Sequence, residues 1–145
     1  MNKIDLFRDE YFFLSNFYEV PVTYDGITYQ NNEAAFQAQK CKIFKDREAF
    51  ANMNPAEAKK YGRKVSLRLD WERVKVGLMR EIVYAKFEQN ADLKEKLLQT
   101  GDAYLEEGNT WGDKIWGTVN GQGQNLLGQI LMETRERFQQ RDKER

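Results

Sequence analysis

The sequence predicts a mainly helical chain with one small β-hairpin near its start. Two observations carry that expectation. Residues 20–24 and 27–29 are β-prone runs on either side of Asp25-Gly26, a two-residue turn of the type hairpins prefer. From Asn31 onward, helix start and stop signals recur down the chain, interrupted by one long glycine-rich stretch at residues 108–125.

Residues 11–18, Tyr-Phe-Phe-Leu-Ser-Asn-Phe-Tyr, are too aromatic for a mobile arm and too short for a stable helix. They are expected to pack on the domain, with a turn at Ser15-Asn16. Pro21 cannot donate to a strand ladder, so its strand should lie at an edge. The hairpin leads into Thr28-Tyr-Gln-Asn-Asn-Glu-Ala-Ala-Phe-Gln-Ala-Gln-Lys40, which reads as a helix with Asn31 or Asn32 as N-cap. A short helical turn is expected at 47–52. Asn54-Pro55 starts the next helix, with Asn as cap and Pro in first position, and Gly62 stops it, leaving Arg63 and Lys64 just beyond. Asp70 caps the longest helix, about 71–89, whose Trp71, Val74, Leu78, Ile82 and Ala85 keep helical spacing, flanked by Met79, Val83 and Phe87. A further helix over 92–99 ends at Thr100-Gly101.

Residues 108–125 hold five of the ten glycines and at most a short strand. Loops of that length inside a compact domain are usually functional or disordered, and Trp111 and Trp116 argue for order. The last helix starts after Asn125 as cap, with Leu127, Ile130, Leu131, Thr134 and Phe138 on one face. Gly128 within it costs about 1 kcal/mol against Ala, which points to close packing. The polar residues 140–145 are expected to fray. The whole, residues 1–145 with a core over about 11–138, is expected to be one domain.

Composition narrows the chemistry. No apolar run approaches membrane-spanning length, the N-terminus lacks a signal-peptide apolar region, and the single Cys41 excludes an internal disulfide. A soluble cytoplasmic protein with no membrane partner is the expectation. The chain has no His, which removes His general bases, Ser/His and Cys/His nucleophile pairs and His metal sites. One Cys cannot build a zinc or iron–sulfur site; a hard-metal site of Asp and Glu stays open, although no dense acidic motif points to one. Carboxylates must then carry most proton transfers, helped by Lys or Tyr. The net charge of zero hides an asymmetry. Residues 40–86 hold 13 Lys and Arg against 6 Asp and Glu, and the remainder 10 against 17. Such a basic segment in a neutral chain fits either a local anionic ligand, such as a phosphate, or a set of solvated helix faces.

Three stretches can carry chemistry. Glu33 falls in the first turn of its helix, where the dipole favours a carboxylate, and shares a face with Phe36, Gln37 and Lys40. That stripe makes a poor core and a good site wall, although a carboxylate serving only the dipole has the same pattern. In Asn109-Thr-Trp-Gly-Asp113 with Trp116, an aromatic and an amide could hold a flat ring while Asp113 offers a second carboxylate. The alternative there is a loop pinned by two buried tryptophans. Asn120-Gly-Gln-Gly-Gln-Asn125 could hold an anion on its N–H groups but lacks a Walker or Rossmann spacing, and an ordinary capped turn explains it as well.

Taken together, Phe13-Leu-Ser-Asn-Phe-Tyr18, Glu33 with Phe36-Gln-Ala-Gln-Lys40, Gly62-Arg63, Trp71-Glu72 with Lys75, Asn109-Thr-Trp-Gly-Asp113 and Asn125-Leu-Leu-Gly128 stand in the order of the NADAR family. From near Tyr11 to Arg137 the chain resembles that family's small stand-alone members. Ala34-Ala35 stand where many members have His-Tyr, a change in the pocket wall that leaves the acid in place. The resemblance implies a compact, mainly helical α+β domain that hydrolyses N-glycosidic bonds, a reaction for which no metal and no organic cofactor is required. Its substrates would be phosphoribosylamino intermediates of riboflavin synthesis or ADP-ribose attached to guanine, the latter free or within nucleic acid. Carried over, Glu33, Trp71 and Asp113 match positions linked to catalysis. Asn16, Phe17, Lys40, Arg63, Lys75, Asn109, Trp111 and Asn125 would line the pocket, with Arg63, Lys75 or Lys40 on phosphate. Lys40 is alternatively an amine nucleophile if burial lowers its pKa. The rival reading is a module that binds ADP-ribose or NAD without turnover. A nucleic-acid-binding domain is a third reading, disfavoured by the zero net charge and the absence of basic arms.

Overall fold

The computed structural model describes residues 2–144. In chain order its elements are β1 (Lys3–Ile4), a 3-10 helix (Asp9–Leu14), β2 (Glu19–Tyr24), β3 (Ile27–Asn31), α1 (Asn32–Ala38), a second 3-10 helix (Phe44–Phe50), α2 (Pro55–Tyr61), α3 (Trp71–Gln89), α4 (Ala91–Gln99), β4 (Tyr104–Leu105) and α5 (Leu126–Lys143). Helices dominate and the strands form two two-stranded sheets, so the fold is α+β and mainly helical, as expected. The chain divides into two compact units, one of Asn16–Gln89 and one of the segments on either side of it.

In the first unit, β2 and β3 form the expected antiparallel hairpin. Asp25 and Gly26 both take positive φ, 52° and 84°, as a tight hairpin turn requires. The register shifts between Glu19 and Val22, so Pro21 falls in the irregular step, where its missing N–H is tolerated. Val22 and Tyr29 pair across the ladder and bury completely. Strand β3 runs directly into α1 through Asn31, whose side chain accepts the Ala34 N–H at 2.7 Å. Ala34, Ala35 and Ala38 are fully buried, and such short side chains let α2, α3 and the hairpin approach α1 closely. The start of α2 carries a full capping box between Asn54 and Glu57, with Pro55 at its head.

Helix α3 buries the flanks of its expected stripe, Met79, Val83 and Phe87, more deeply than part of its centre. Trp71, Met79, Ile82, Val83, Lys86 and Phe87 are buried, while Val74, Leu78 and Ala85 are half-buried. The buried face is rotated because α3 packs on both β2 and α1, and Lys86 takes a core position that apolar periodicity cannot reveal. Asp70 precedes the helix as expected. Its carboxylate, however, goes to Arg68, at 2.6 Å from Nε and 3.1 Å from Nη2.

In the second unit, β1 and β4 pair in parallel, Lys3 with Tyr104 and Ile4 with Leu105. The 3-10 helix following β1 buries Phe13 and Leu14, which explains the aromatic run there. Helix α4 stops at Thr100, with Gly101 left-handed after it. Helix α5 buries Leu127, Ile130, Leu131, Thr134 and Phe138, the expected face. A Cβ on Gly128 would stand 2.1 Å from the Leu105 carbonyl oxygen, which accounts for the glycine. The helix continues to Lys143, beyond the point where a polar tail was expected to fray, and Asp142 lies 3.6 Å from Lys94 of α4.

Lys86 generates a prediction about stability. It is 1% exposed, with Nζ 5.6 Å from the Tyr18 ring and 5.1 Å from the Phe87 ring. Burial pushes its ammonium down from 10.5 to about 7. Between those values the unfolded chain binds a proton that the folded chain does not, so stability should rise with pH over that window. Lys86→Met keeps an unbranched side chain and removes the charge. Its urea midpoint should exceed that of wild type at pH 6, and the rise toward pH 10 should shrink. An unchanged rise in Lys86→Met would show that Lys86 is not its source.

Candidate active site

The start of α1 fixes Glu33. Its backbone N–H donates to the Asn16 carbonyl at 3.0 Å, and its Oε2 accepts from Gln37 Nε2 at 2.7 Å, one turn along. Asn16 is buried, accepting from Asn32 Nδ2 at 3.4 Å through Oδ1 and pointing Nδ2 at Met79 Sδ, 3.5 Å away. Phe17 follows, half-buried, with Lys59 Nζ 5.9 Å from its ring centroid.

An aromatic wall stands on the same side. Phe36 meets Trp71 with ring centroids 5.1 Å apart and planes tilted by 51°. Helix α1 ends at Ala38, so Lys40 lies in the turn beyond it, and its Nζ sits 5.9 Å from the Trp71 ring. Burial pushes the Lys40 ammonium down. The Glu33 carboxylate opposes that shift, while Arg63 and Lys75 reinforce it. Glu33, Arg63 and Lys75 are therefore all close enough to Lys40 to act on its charge. Lys75 is half-buried and pairs with Glu72 at 2.7 Å, whose side chain is 81% exposed. Arg63 is exposed just past the end of α2.

Seven of the expected site residues, Asn16, Phe17, Glu33, Lys40, Arg63, Trp71 and Lys75, thus belong to the unit Asn16–Gln89. The other four, Asn109, Trp111, Asp113 and Asn125, belong to the second unit and are built into its loop. Asn109 Nδ2 donates to the Asp113 carbonyl at 2.8 Å, and Asn109 Oδ1 accepts the Asp113 N–H at 3.1 Å. Asp113 Oδ1 accepts the N–H groups of Ile115 and Trp116, at 3.0 and 2.9 Å. Two buried tryptophans do not pin this loop: Trp111 is 57% exposed and Trp116 half-buried. Side-chain amides and backbone bridges at Gly108–Thr118 and Val119–Gln122 hold it instead.

Asn125 stands at the cap position of α5 but does not cap it with its side chain. Its backbone is left-handed, with φ 52°, and its amide accepts the Glu107 N–H at 2.9 Å and donates to the Leu105 carbonyl at 3.0 Å. The side chain is spent on joining the loop to β4. Glu72 and Gly62, which the sequence marks only as parts of the family motifs and, for Gly62, as a helix stop, are neighbours of the cluster to which no place in the site was given. The i,i+3 spacing of Glu72 and Lys75 was the available signal for the first.

Among the described residues no group of three His, Cys, Asp or Glu could hold a metal ion, and no helix is long and apolar enough to cross a membrane. What the cluster offers is a carboxylate for a developing positive charge, cations for an anionic group and an indole face for a flat ring.

The comparisons with known proteins point the same way. The NADAR domain model matches residues 6–139. The chain is 44% identical to the N-glycosidase YbiA of Escherichia coli strain K12 over 134 residues, which cover 90% of this chain and 83% of that one. An N-glycosidase of Nostoc punctiforme is 43% identical over 111 residues, 72% of this chain and 70% of its own. A longer protein of Vibrio vulnificus, named a riboflavin biosynthesis protein, is 38% identical over 132 residues, 88% of this chain but 36% of that one. The NMR structure of the E. coli protein YbiA matches the fold with a TM-score of 0.88 at 39% identity, covering 99% of this chain and 89% of that one. With a family model spanning nearly the whole chain and curated relatives this similar over most of both lengths, the chain belongs to the NADAR family and is an N-glycosidase.

Proposed function

We propose that this N-glycosidase cleaves the C–N bond between a base and a phosphorylated ribose or ADP-ribose, with Glu33 as the carboxylate that stabilises the reacting sugar. The observation that carries the reading is Lys40, whose Nζ lies 5.9 Å from the Trp71 ring and within electrostatic reach of Glu33, Arg63 and Lys75. Two substrates fit: a ribosylamino-pyrimidine intermediate of riboflavin synthesis, and ADP-ribosylated guanine. The name of the Vibrio relative favours the first.

Loss of the base leaves positive charge at the anomeric carbon. An ionised carboxylate beside that carbon stabilises the charge and orients the incoming water, whose oxygen bonds to the sugar as the base departs with the electron pair of the C–N bond. Trp71 would stack on the base or sugar. Lys75 and Arg63 would hold phosphate, which Lys75 can accept by exchanging its exposed Glu72 partner for a more highly charged one.

Phosphate recognition is tested first. Arg63→Ala and Lys75→Ala should each raise KM for the phosphorylated substrate at least tenfold, a binding loss of about 1.4 kcal/mol, with little change in melting temperature. A dephosphorylated analogue should be indifferent to both substitutions. An equal loss on that analogue removes these residues from phosphate binding.

Glu33 is tested by Glu33→Gln. A first-turn carboxylate that serves only the dipole contributes ~0.3–1 kcal/mol of stability. A carboxylate that stabilises the transition state contributes far more to rate, so Glu33→Gln should melt near wild type, bind substrate and lose about 100-fold or more in turnover. Retention of more than about a tenth of wild-type turnover, a loss of only ~1.4 kcal/mol, would sink the assignment.

A second route has its own observation, the lowering of the Lys40 ammonium by burial. A neutral Lys40 amine can attack the anomeric carbon as the C–N bond to the base breaks, its proton passing to the departing base. Ring opening then gives an iminium that water hydrolyses. Borohydride added during turnover should in that case leave a sugar adduct on Lys40, visible by mass spectrometry. Full turnover without an adduct assigns the attack to water.

A further inference from the structure

We infer that Gln37 is a positioning residue for the Glu33 carboxylate, and that Gly62 is glycine in order to seat the Gln37 amide; the inference rests on Glu33 acting as proposed above. The backbone at Gly62 has φ −60° and ψ −20°, a conformation any residue adopts, so its glycine is not required by torsion. Space is what requires it. A Cβ at position 62 would stand 2.0 Å from Gln37 Oε1 and 2.8 Å from Gln37 Cδ.

The seated amide is in an otherwise unfavourable place. Gln37 is 7% exposed, and its Oε1 is buried without a hydrogen-bond partner, an arrangement that costs stability. An ordinary exposed Gln–Glu pair one turn apart on a helix would not require that burial or a glycine on the neighbouring helix end. The return is the 2.7 Å bond from Nε2 to Glu33 Oε2. With the amide wedged against Gly62, Nε2 is aimed from a fixed point, and the plane of the Glu33 carboxylate is set before substrate arrives. Orientation of that kind acts on the rate of the chemical step rather than on substrate affinity.

The test is a cycle of variants read by steady-state kinetics and melting temperature. Gln37→Ala and Gln37→Met should each lower kcat by about 10–100-fold, with KM changed less than about threefold. Gly62→Ala should lower kcat similarly, because its methyl group displaces the Gln37 amide, the far end of a flexible side chain, while the fold persists. In the Gln37→Ala background the same Gly62→Ala change should cost nothing further, since no amide remains to be displaced. The proposal is overturned if both Gln37 variants keep wild-type kcat, if their loss lies in KM alone, or if Gly62→Ala costs the same in both backgrounds. Glu33→Gln run alongside separates the two readings. An inactive Glu33→Gln with active Gln37 variants overturns the positioning role alone, whereas an active Glu33→Gln overturns both.

Discussion

The Asn31 cap is the constraint on which the rest of the unit Asn16–Gln89 depends. Its side-chain oxygen closes the first turn of α1 on the Ala34 N–H, and its Nδ2 donates at 3.0 Å to the carbonyl of Met53, just before the capping box of α2. Asn31 is fully buried, so both bonds form away from competing water, where leaving either group unmade would be expensive. One residue thereby ends the hairpin, starts the helix and ties that junction to the next one. Glu33 inherits its position from this knot, since its own N–H is held by Asn16 two residues into the register the cap sets. The alanines of α1 complete the arrangement: Ala34, Ala35 and Ala38 present no long side chain on the faces they occupy, and neighbouring elements close around a helix of only seven residues.

What was legible in the sequence follows from range. Asp25-Gly26, Asn31, Asn54-Pro55 and Thr100-Gly101 act on backbone groups within a few residues, so their chemistry can be read without knowing the fold. The pairing of β1 with β4 joins Lys3 to Tyr104 across a hundred positions through two-residue strands, too short to show any period. Asn125 shows the limit of a local rule. A capping residue sits in a capping position, yet a left-handed backbone and the distant carbonyl of Leu105 claim its amide.

The site was legible as composition before it was legible as geometry. A basic segment and an acid on a mixed helix face suggested an anionic ligand, and Arg63 and Lys75 do act electrostatically on Lys40. Composition alone does not separate those cations from Lys86, which belongs to the same unit but is buried against Tyr18 and Phe87. Spacing places a side chain on a face; only packing says whether the face meets a carboxylate or an aromatic ring. The Gln37 amide is a similar case, because the glycine that admits it lies 25 positions away at the end of another helix.

The charges around Trp71 also constrain how such a site can work. Lys40, Arg63 and Lys75 bring three positive charges, against Glu33 and Glu72. Glu72 is well solvated, so its pairing with Lys75 is weak and readily exchanged. Glu33 is different: it is half-buried, bonded to Gln37 and backed by the Asn16 carbonyl through its own N–H. Under the proposed function, a phosphate entering this group would replace the exposed acid, Glu72, and leave Glu33 in place. Binding and reaction would then involve separate carboxylates, one that yields and one that does not. Substrate affinity and transition-state stabilisation can be adjusted independently in such a site, because the acid that must stay put is held by the helix start rather than by the cations.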